Sequence, residues 1–325
     1  MHQCSQESAG HDGHIHITIM TMQSVFQNLI SEVSKVVLDK SDEIKLAVTC
    51  LLSNGHLLIE DVPGVGKTTL VQTLAKLSGL ETKRIQFTVD LLPADILGGQ
   101  IYNSRDHKFE FHPGPLFTQM VLADELNRAS PRTQGALLQA MEENQVSLDG
   151  KNHPLPEPFF VIATQNPHQQ MGTFPLPESQ LDRFMMSLEL NYASKKTEIE
   201  LFKSQDSREK IAKLVPLLTA KEFSDYKNQV SDVIVSDIIA RYVSDLLDRS
   251  RTLKSGALPL STRAGIALVK SAKAWAFIEG RNFLKPEDIQ SVAISVLSHR
   301  LGGNHGLKKG KEWARDLLRE TPVPV

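Results

Sequence analysis

The chain has 325 residues, 41% of them hydrophobic and 23% charged, which is ordinary globular composition and exceeds the size of one usual core. Lys and Arg number 36 against 38 for Asp and Glu, so no basic surplus exists to neutralise a nucleic-acid backbone, and no nucleic-acid partner is expected. Two cysteines are too few for a disulfide framework, and no run is long and apolar enough for a membrane span or a signal core; a cytoplasmic, reducing setting is the expectation.

Residues 1–22 carry His2, Cys4, His11, His14 and His16 among Gly, Ser and Gln. Such a tract either binds metal or is a disordered extension; without a second organised set of ligands, the extension is expected. Between Gln23 and Leu52, Val25, Leu29, Val33 and Val36, then Ile44, Ala47, Val48 and Leu51, recur at helical spacing, which predicts two packing helices.

The next stretch carries the first chemistry. Leu57 to Ile59 read as a buried strand, Pro63, Gly64, Val65 and Gly66 as a tight turn, and Thr68 to Lys76 as a helix. Strand, Gly-rich turn and helix in that order make a phosphate cradle. Backbone N–H groups at Lys67, Thr68 and Thr69 face an anion, the Lys67 ammonium reaches the β and γ phosphates, and the Thr68 hydroxyl is offered to Mg2+. The pattern G-x-x-x-x-G-K-[ST] is met except at its first position, which is Asp61. A surface turn with an exposed lysine is the alternative.

Lys83 to Phe87 reads as a second strand, and Gln100 to Phe111 as a hairpin turning at Asn103 to Asp106. Met120 to Ala123 is an apolar strand ending in Asp124 and Glu125. Taken alone these are solubilising acids; downstream of a cradle, Asp124 holds the Mg2+ water shell and Glu125 polarises the water that attacks the γ-phosphate. Pro131 sits at the first position of a helix ending near Asn144, and Gln145 to Leu155 repeats the hairpin signal with Asp149-Gly150 at its turn. The apolar strand Pro158 to Ala163 delivers Asn166, which either orients the attacking water or caps the turn before Pro167. Arg183 precedes a fifth apolar run, Met185 to Leu190, and reads equally as the partner of a nearby acid. Lys195 to about Lys213 is a charged, helical connector. Beyond it the periodicity is helical throughout: Ile238 to Leu247 form one stripe, a second helix runs from near Ser261 to before Gly280, and a third starts at Pro286. Arg263 reads as a surface residue. The predicted organisation is an N-terminal extension (1–22), an α/β P-loop core with five parallel strands (23–192) and an all-helical region (193–325).

Together, the cradle at Gly64 to Thr69, Asp124-Glu125-Leu126-Asn127-Arg128, Ala163 to Pro167, Leu181-Asp182-Arg183-Phe184 and Ser261-Thr262-Arg263-Ala264 resemble the MoxR family of AAA+ ATPases over about residues 24 to 300. The resemblance implies that Lys67 and Thr68 are the Walker A pair, Asp124 and Glu125 the Walker B pair and Asn166 the sensor 1 residue. It also implies that Arg183 is an arginine finger for a neighbouring subunit, and that Arg263 is the sensor 2 arginine of a helical lid, with ATP between core and lid. The hairpins resemble inserts that face the ring pore and partners. The implied activity is Mg2+-dependent ATP hydrolysis by a ring, a hexamer, that remodels, activates or assembles a client protein. A von Willebrand factor A-type partner would be a separate chain. A motor acting on nucleic acid, and a nucleotide-binding switch or scaffold with little hydrolysis, are the alternatives. Two departures stand out: Leu38-Asp39-Lys40 occupies the place of a Val-Gly pair near the adenine, and the His-rich tail has no family counterpart.

Overall fold

A computed structural model describes residues 24–60, 64–166, 172–203, 207–252 and 256–324, so the His-rich tail and its metal alternative lie outside the described residues. The chain opens with α1 (24–36) and α2 (Ser41–Leu52), followed by β1 (Leu57–Glu60), α3 (Lys67–Leu77), β2 (Thr82–Gln86) and α4 (Pro93–Leu97). A hairpin of β3 (Gly98–Asn103) and β4 (Lys108–Pro113) leads to β5 (Met120–Asp124) and α5 (Pro131–Glu143). A second hairpin, β6 (Gln145–Leu148) and β7 (Lys151–Pro154), precedes β8 (Phe160–Gln165), α6 (Glu178–Leu181) and β9 (Met186–Leu188). The rest is helical: α7 (Lys195–Lys203), α8 (Ser207–Ala212), α9 (Ala220–Val230), α10 (Asp237–Thr252), α11 (Thr262–Ile278), α12 (Pro286–Gly302) and α13 (Gly306–Glu320).

One sheet organises these elements, in the strand order β2-β5-β8-β1-β9, and every neighbouring pair is parallel. Parallel sheets are covered on both faces, which is why β1, β5 and β8 are continuous apolar runs up to their C-terminal ends, where Glu60, Asp124 and Thr164-Gln165 follow. Alternate residues therefore feed two cores. Leu57, Ile59, Leu122, Ile162 and Leu188 enter one; Leu58, Val121, Ala123, Val161 and Ala163 enter the other, which α5 closes with Leu137, Leu138 and Met141. The first core is closed by α2 and α3 and continues without a break through Ala264, Leu268, Val292 and Val296 of the C-terminal helices. The helical region thus shares apolar packing with the sheet, and α12 lies against β9.

The tightest approach in that region is the crossing of α12 and α13. A Cβ placed on Gly310 would meet the Ser298 carbonyl oxygen at 1.9 Å, and one on Gly302 would meet the Gly310 Cα at 3.2 Å. Since backbone cannot yield as a flexible side chain does, Gly310→Ala is expected to lower stability by about 1–3 kcal/mol through overpacking. Thermal unfolding of the variant beside the parent checks this, and an unchanged melting temperature would refute it.

His56, just ahead of β1, ties the sheet to α5. It is buried, its Nδ1 accepts the Val161 N–H at 3.0 Å, and its Nε2–H donates to the Met141 carbonyl at 3.1 Å. Burial pushes its pKa from the ordinary 6.5 down to about 4, against the opposing pull of the Met141 carbonyl. The native state then binds fewer protons than the unfolded chain between those two values, so the stability conferred by neutral His56 is complete above pH 6.5 and is lost as pH falls toward 4. The loss amounts to about 3 kcal/mol at 1.36 kcal/mol per pKa unit. Buried His299 shifts in the same direction and steepens the trend. Urea titrations across this range are expected to show the decline, and a flat profile would contradict it.

Candidate nucleotide site

Strand ends bring the site together. Where β1 ends, the chain turns through Gly64 (φ 87°) and Gly66 (φ 93°) and starts α3 at Lys67; Pro63 lies outside the described residues. Both glycines adopt the left-handed backbone that side chains resist, and a Cβ on either would meet nothing within 4 Å. Their role is backbone curvature beside open space, which is what an approaching anion needs. Val65 packs against the core and anchors the turn. With the α3 N-terminus facing that space, the cradle has its N–H donors and dipole in place.

Gly64, Gly66, Lys67, Thr68 and Thr69 line a cavity of about 310 Å3 whose far wall is Asp124, Glu125 and Asn166. Parallel pairing of β1 with β8 and β8 with β5 puts these strand ends side by side. Asp124 is held on both oxygens: Oδ1 accepts the Thr164 hydroxyl at 2.6 Å, and Oδ2 accepts Arg84 Nη2 at 2.6 Å and Nε at 3.2 Å. Glu125 leaves the strand with φ 57°, an uncommon conformation for a non-glycine residue, and its N–H donates to the same Thr164 hydroxyl at 2.9 Å. Its Oε2 accepts Gln86 Nε2 at 2.9 Å and lies 3.1 Å from Arg128 Nε. One threonine thus fixes both acids, and β2 supplies a side chain to each. The Thr68 hydroxyl and Asp124 carboxylate are hard oxygen donors on one cavity, a set suited to Mg2+. Asn166 reaches the same cavity, while its backbone carbonyl accepts Asn127 Nδ2 at 3.2 Å. Beside it, Gln165 donates to Glu60 at 2.8 Å; burial pushes the Glu60 carboxyl up, opposed by Gln165 and the Leu307 backbone.

Arg183 and Arg263 are elsewhere. They share a second cavity of about 260 Å3, where the Glu142 carboxylate at the end of α5 takes Arg183 Nη2 at 3.2 Å and Arg263 Nη1 at 3.4 Å. Lys270 lines the same cavity, and Ser261, the N-cap of α11, donates to Asp182 at 3.3 Å. Arg263 lines this second cavity and does not line the phosphate cavity. α11, which carries Arg263 in its first turn, packs on α2 and α12.

Sequence reading passed over Arg84, Gln86 and Glu142, and gave Thr164 no role. A signal for the first two existed, because residues two apart near the end of a parallel strand share a face and point toward the ligand end of the sheet.

A phosphate cradle after β1, paired acids after the non-adjacent β5 and a helical C-terminal region over the sheet define a P-loop ATPase of the AAA+ class. The chain matches the model of the ATPase family associated with various cellular activities over residues 56–186 and that of the AAA lid domain over 249–320. It is 44% identical to the uncharacterized protein YeaC of Bacillus subtilis, over 91% of this chain and 94% of that one, and 36% identical to the chaperone MoxR1 of Mycobacterium tuberculosis, over 85% and 75%. The crystal structure of a candidate ATPase from Cytophaga hutchinsonii superposes with TM-score 0.82 at 34% identity, covering 94% of this chain and 97% of that one. The chain belongs to the MoxR family of AAA+ ATPases. Among the described residues no helix is long and apolar enough to cross a membrane, and no three His, Cys, Asp or Glu side chains are grouped to hold a metal.

Proposed function

We propose that this protein hydrolyses ATP in a ring of its own copies in the cytoplasm and uses the turnover to remodel or assemble a partner protein. Phosphates sit on the α3 N-terminus with Lys67, Glu125 deprotonates the attacking water, and Asn166 helps orient it. Thr68 and, through water, Asp124 would hold Mg2+, which would supply neutralisation of the phosphate charge. Arg183 and Arg263 act on the nucleotide of the adjacent copy, exchanging Glu142 for a phosphate as they dock. The observation that carries this reading is the separation of the two cavities: the cradle and both acids line one, and the two arginines line the other. A site so divided is complete only where two copies meet, which favours a cyclic assembly such as a hexamer.

Partner contact falls to the hairpins. Tyr102 and Phe109, paired across β3 and β4, are 51% and 69% exposed, and Phe111 stacks on His153 to join the two hairpins into one surface. A von Willebrand factor A-type protein is a candidate occupant on the family resemblance. The test is turnover by the purified chain. ATP hydrolysis should require Mg2+, rise more steeply than in proportion to chain concentration, and show no stimulation by nucleic acid; absence of turnover at all concentrations would overturn the reading.

A further inference from the structure

The segment that carries Arg183 owes its position to another part of the chain. Between α6 and β9, a single buried side chain from the last turn of α12 gathers the carbonyls of Asp182, Phe184 and Met185. Arg300 Nε donates to Asp182 Oδ1 at 2.6 Å, Nη2 to the Phe184 and Asp182 carbonyls at 2.7 and 3.3 Å, and Nη1 to the Met185 carbonyl at 3.1 Å and to that of Val296. All of the guanidinium's N–H donors are thereby used, most of them on residues flanking Arg183. Adjacent His299 adds a contact from Nε2 to the Phe184 carbonyl at 3.1 Å.

Packing α12 on β9 does not call for a charge, since a buried ion pair is commonly replaced by apolar residues without loss of stability. What an apolar residue cannot do is fix backbone carbonyls on both sides of one residue. Because α12 also packs along α11, which bears Arg263, Arg183 and Arg263 are both referenced to the helix whose own Arg300 lines the same cavity. We propose that Arg300 is the positioning residue for Arg183: it holds the finger at the angle that reaches the adjacent copy's γ-phosphate, and it carries movements of the helical region to that finger. This rests on the in-trans reading above.

The experiment sorts variants by complementation. Arg300→Lys keeps the charge but loses the fork; it should bind ATP in its own cradle with affinity within about twofold of the parent while turnover falls at least tenfold, a kcat effect rather than a KM effect. Mixed with Lys67→Ala chains it should regain turnover, and mixed with Arg183→Ala chains it should not. Recovery with Arg183→Ala, or failure with Lys67→Ala, would overturn the proposal by placing the defect in the cradle of the same chain. The Lys67→Ala and Arg183→Ala pair runs alongside: if those two fail to recover together in shared rings, the in-trans reading itself has failed and this proposal goes with it. Should Arg300→Lys chains not join rings, Arg300→Gln, which keeps an N–H donor but loses the fork that gathers the carbonyls, takes their place with the same outcomes.

Discussion

Glu125→Gln is expected to bind ATP as the parent does and to hydrolyse it about 10²–10⁴ times more slowly, the usual worth of a general base. Glu125 is the acid that both faces the cradle and is oriented from three sides: Gln86 and Arg128 on its carboxylate and Thr164 on its backbone. The amide is nearly isosteric and its carbonyl still accepts from Gln86, so the cavity keeps its shape while the site loses the carboxylate proposed to take a proton from water. Asp124, Thr68 and Lys67 are untouched, which is why nucleotide affinity should hold. Equilibrium ATP binding and steady-state turnover on the same preparation decide the matter. Turnover within tenfold of the parent would transfer the base to another group. Because a variant of this kind holds ATP, it is also the form in which a partner protein should stay associated long enough to be captured.

What could be read in advance was what is local. Leu57 to Lys67 announces strand, turn and helix within one short stretch, because each choice there, apolar run, φ-positive glycines and helix N-terminus, depends on neighbours in sequence. The Asp149-Gly150 turn was legible for the same reason, and both residues do have positive φ, 49° and 75°. Lys195 to Lys213, read as one connector, forms two short helices, α7 and α8, around residues outside the description. Its charges predict solvent exposure well and breaks in a helix poorly. The contacts that set the site are of another kind. Thr164 meets Asp124 from 40 residues away and Arg300 meets Asp182 from 118. No periodicity announces which polar residue at a strand end will turn toward which acid, or that Arg300, in the last turn of a helix, is buried against a distant loop. The division of the arginines from the cradle was equally hidden, since it depends on which face of the sheet α11 packs against.

Arg183→Ala should lose turnover by about 10³-fold or more, the range seen for arginine fingers in phosphoryl transfer, and Lys67→Ala, which removes the charge cradling the phosphates, should likewise abolish most of it. For Lys67 the reason is direct, since it lines the cradle. For Arg183 it is indirect: the guanidinium sits in the second cavity on Glu142, so its loss leaves the chain's own cradle intact. Mixed at equal amounts, the two variants build interfaces of which about a quarter join an intact cradle from one chain to an intact arginine from the other, because a head-to-tail ring draws the two sides of each interface from different copies. Turnover should therefore return to a substantial fraction of the parent's, where each variant alone shows almost none. No recovery in rings shown to contain both chains would place Arg183 on its own nucleotide and refute the division of the site. Arg263→Ala sharpens the point. If Arg263 works beside Arg183, the two variants lack the same side of the interface and cannot rescue each other, whereas Lys67→Ala rescues both. If Arg263 instead closes over the nucleotide of its own chain, Arg263→Ala and Arg183→Ala will restore one another, and the shared Glu142 pairing would then belong only to the isolated copy.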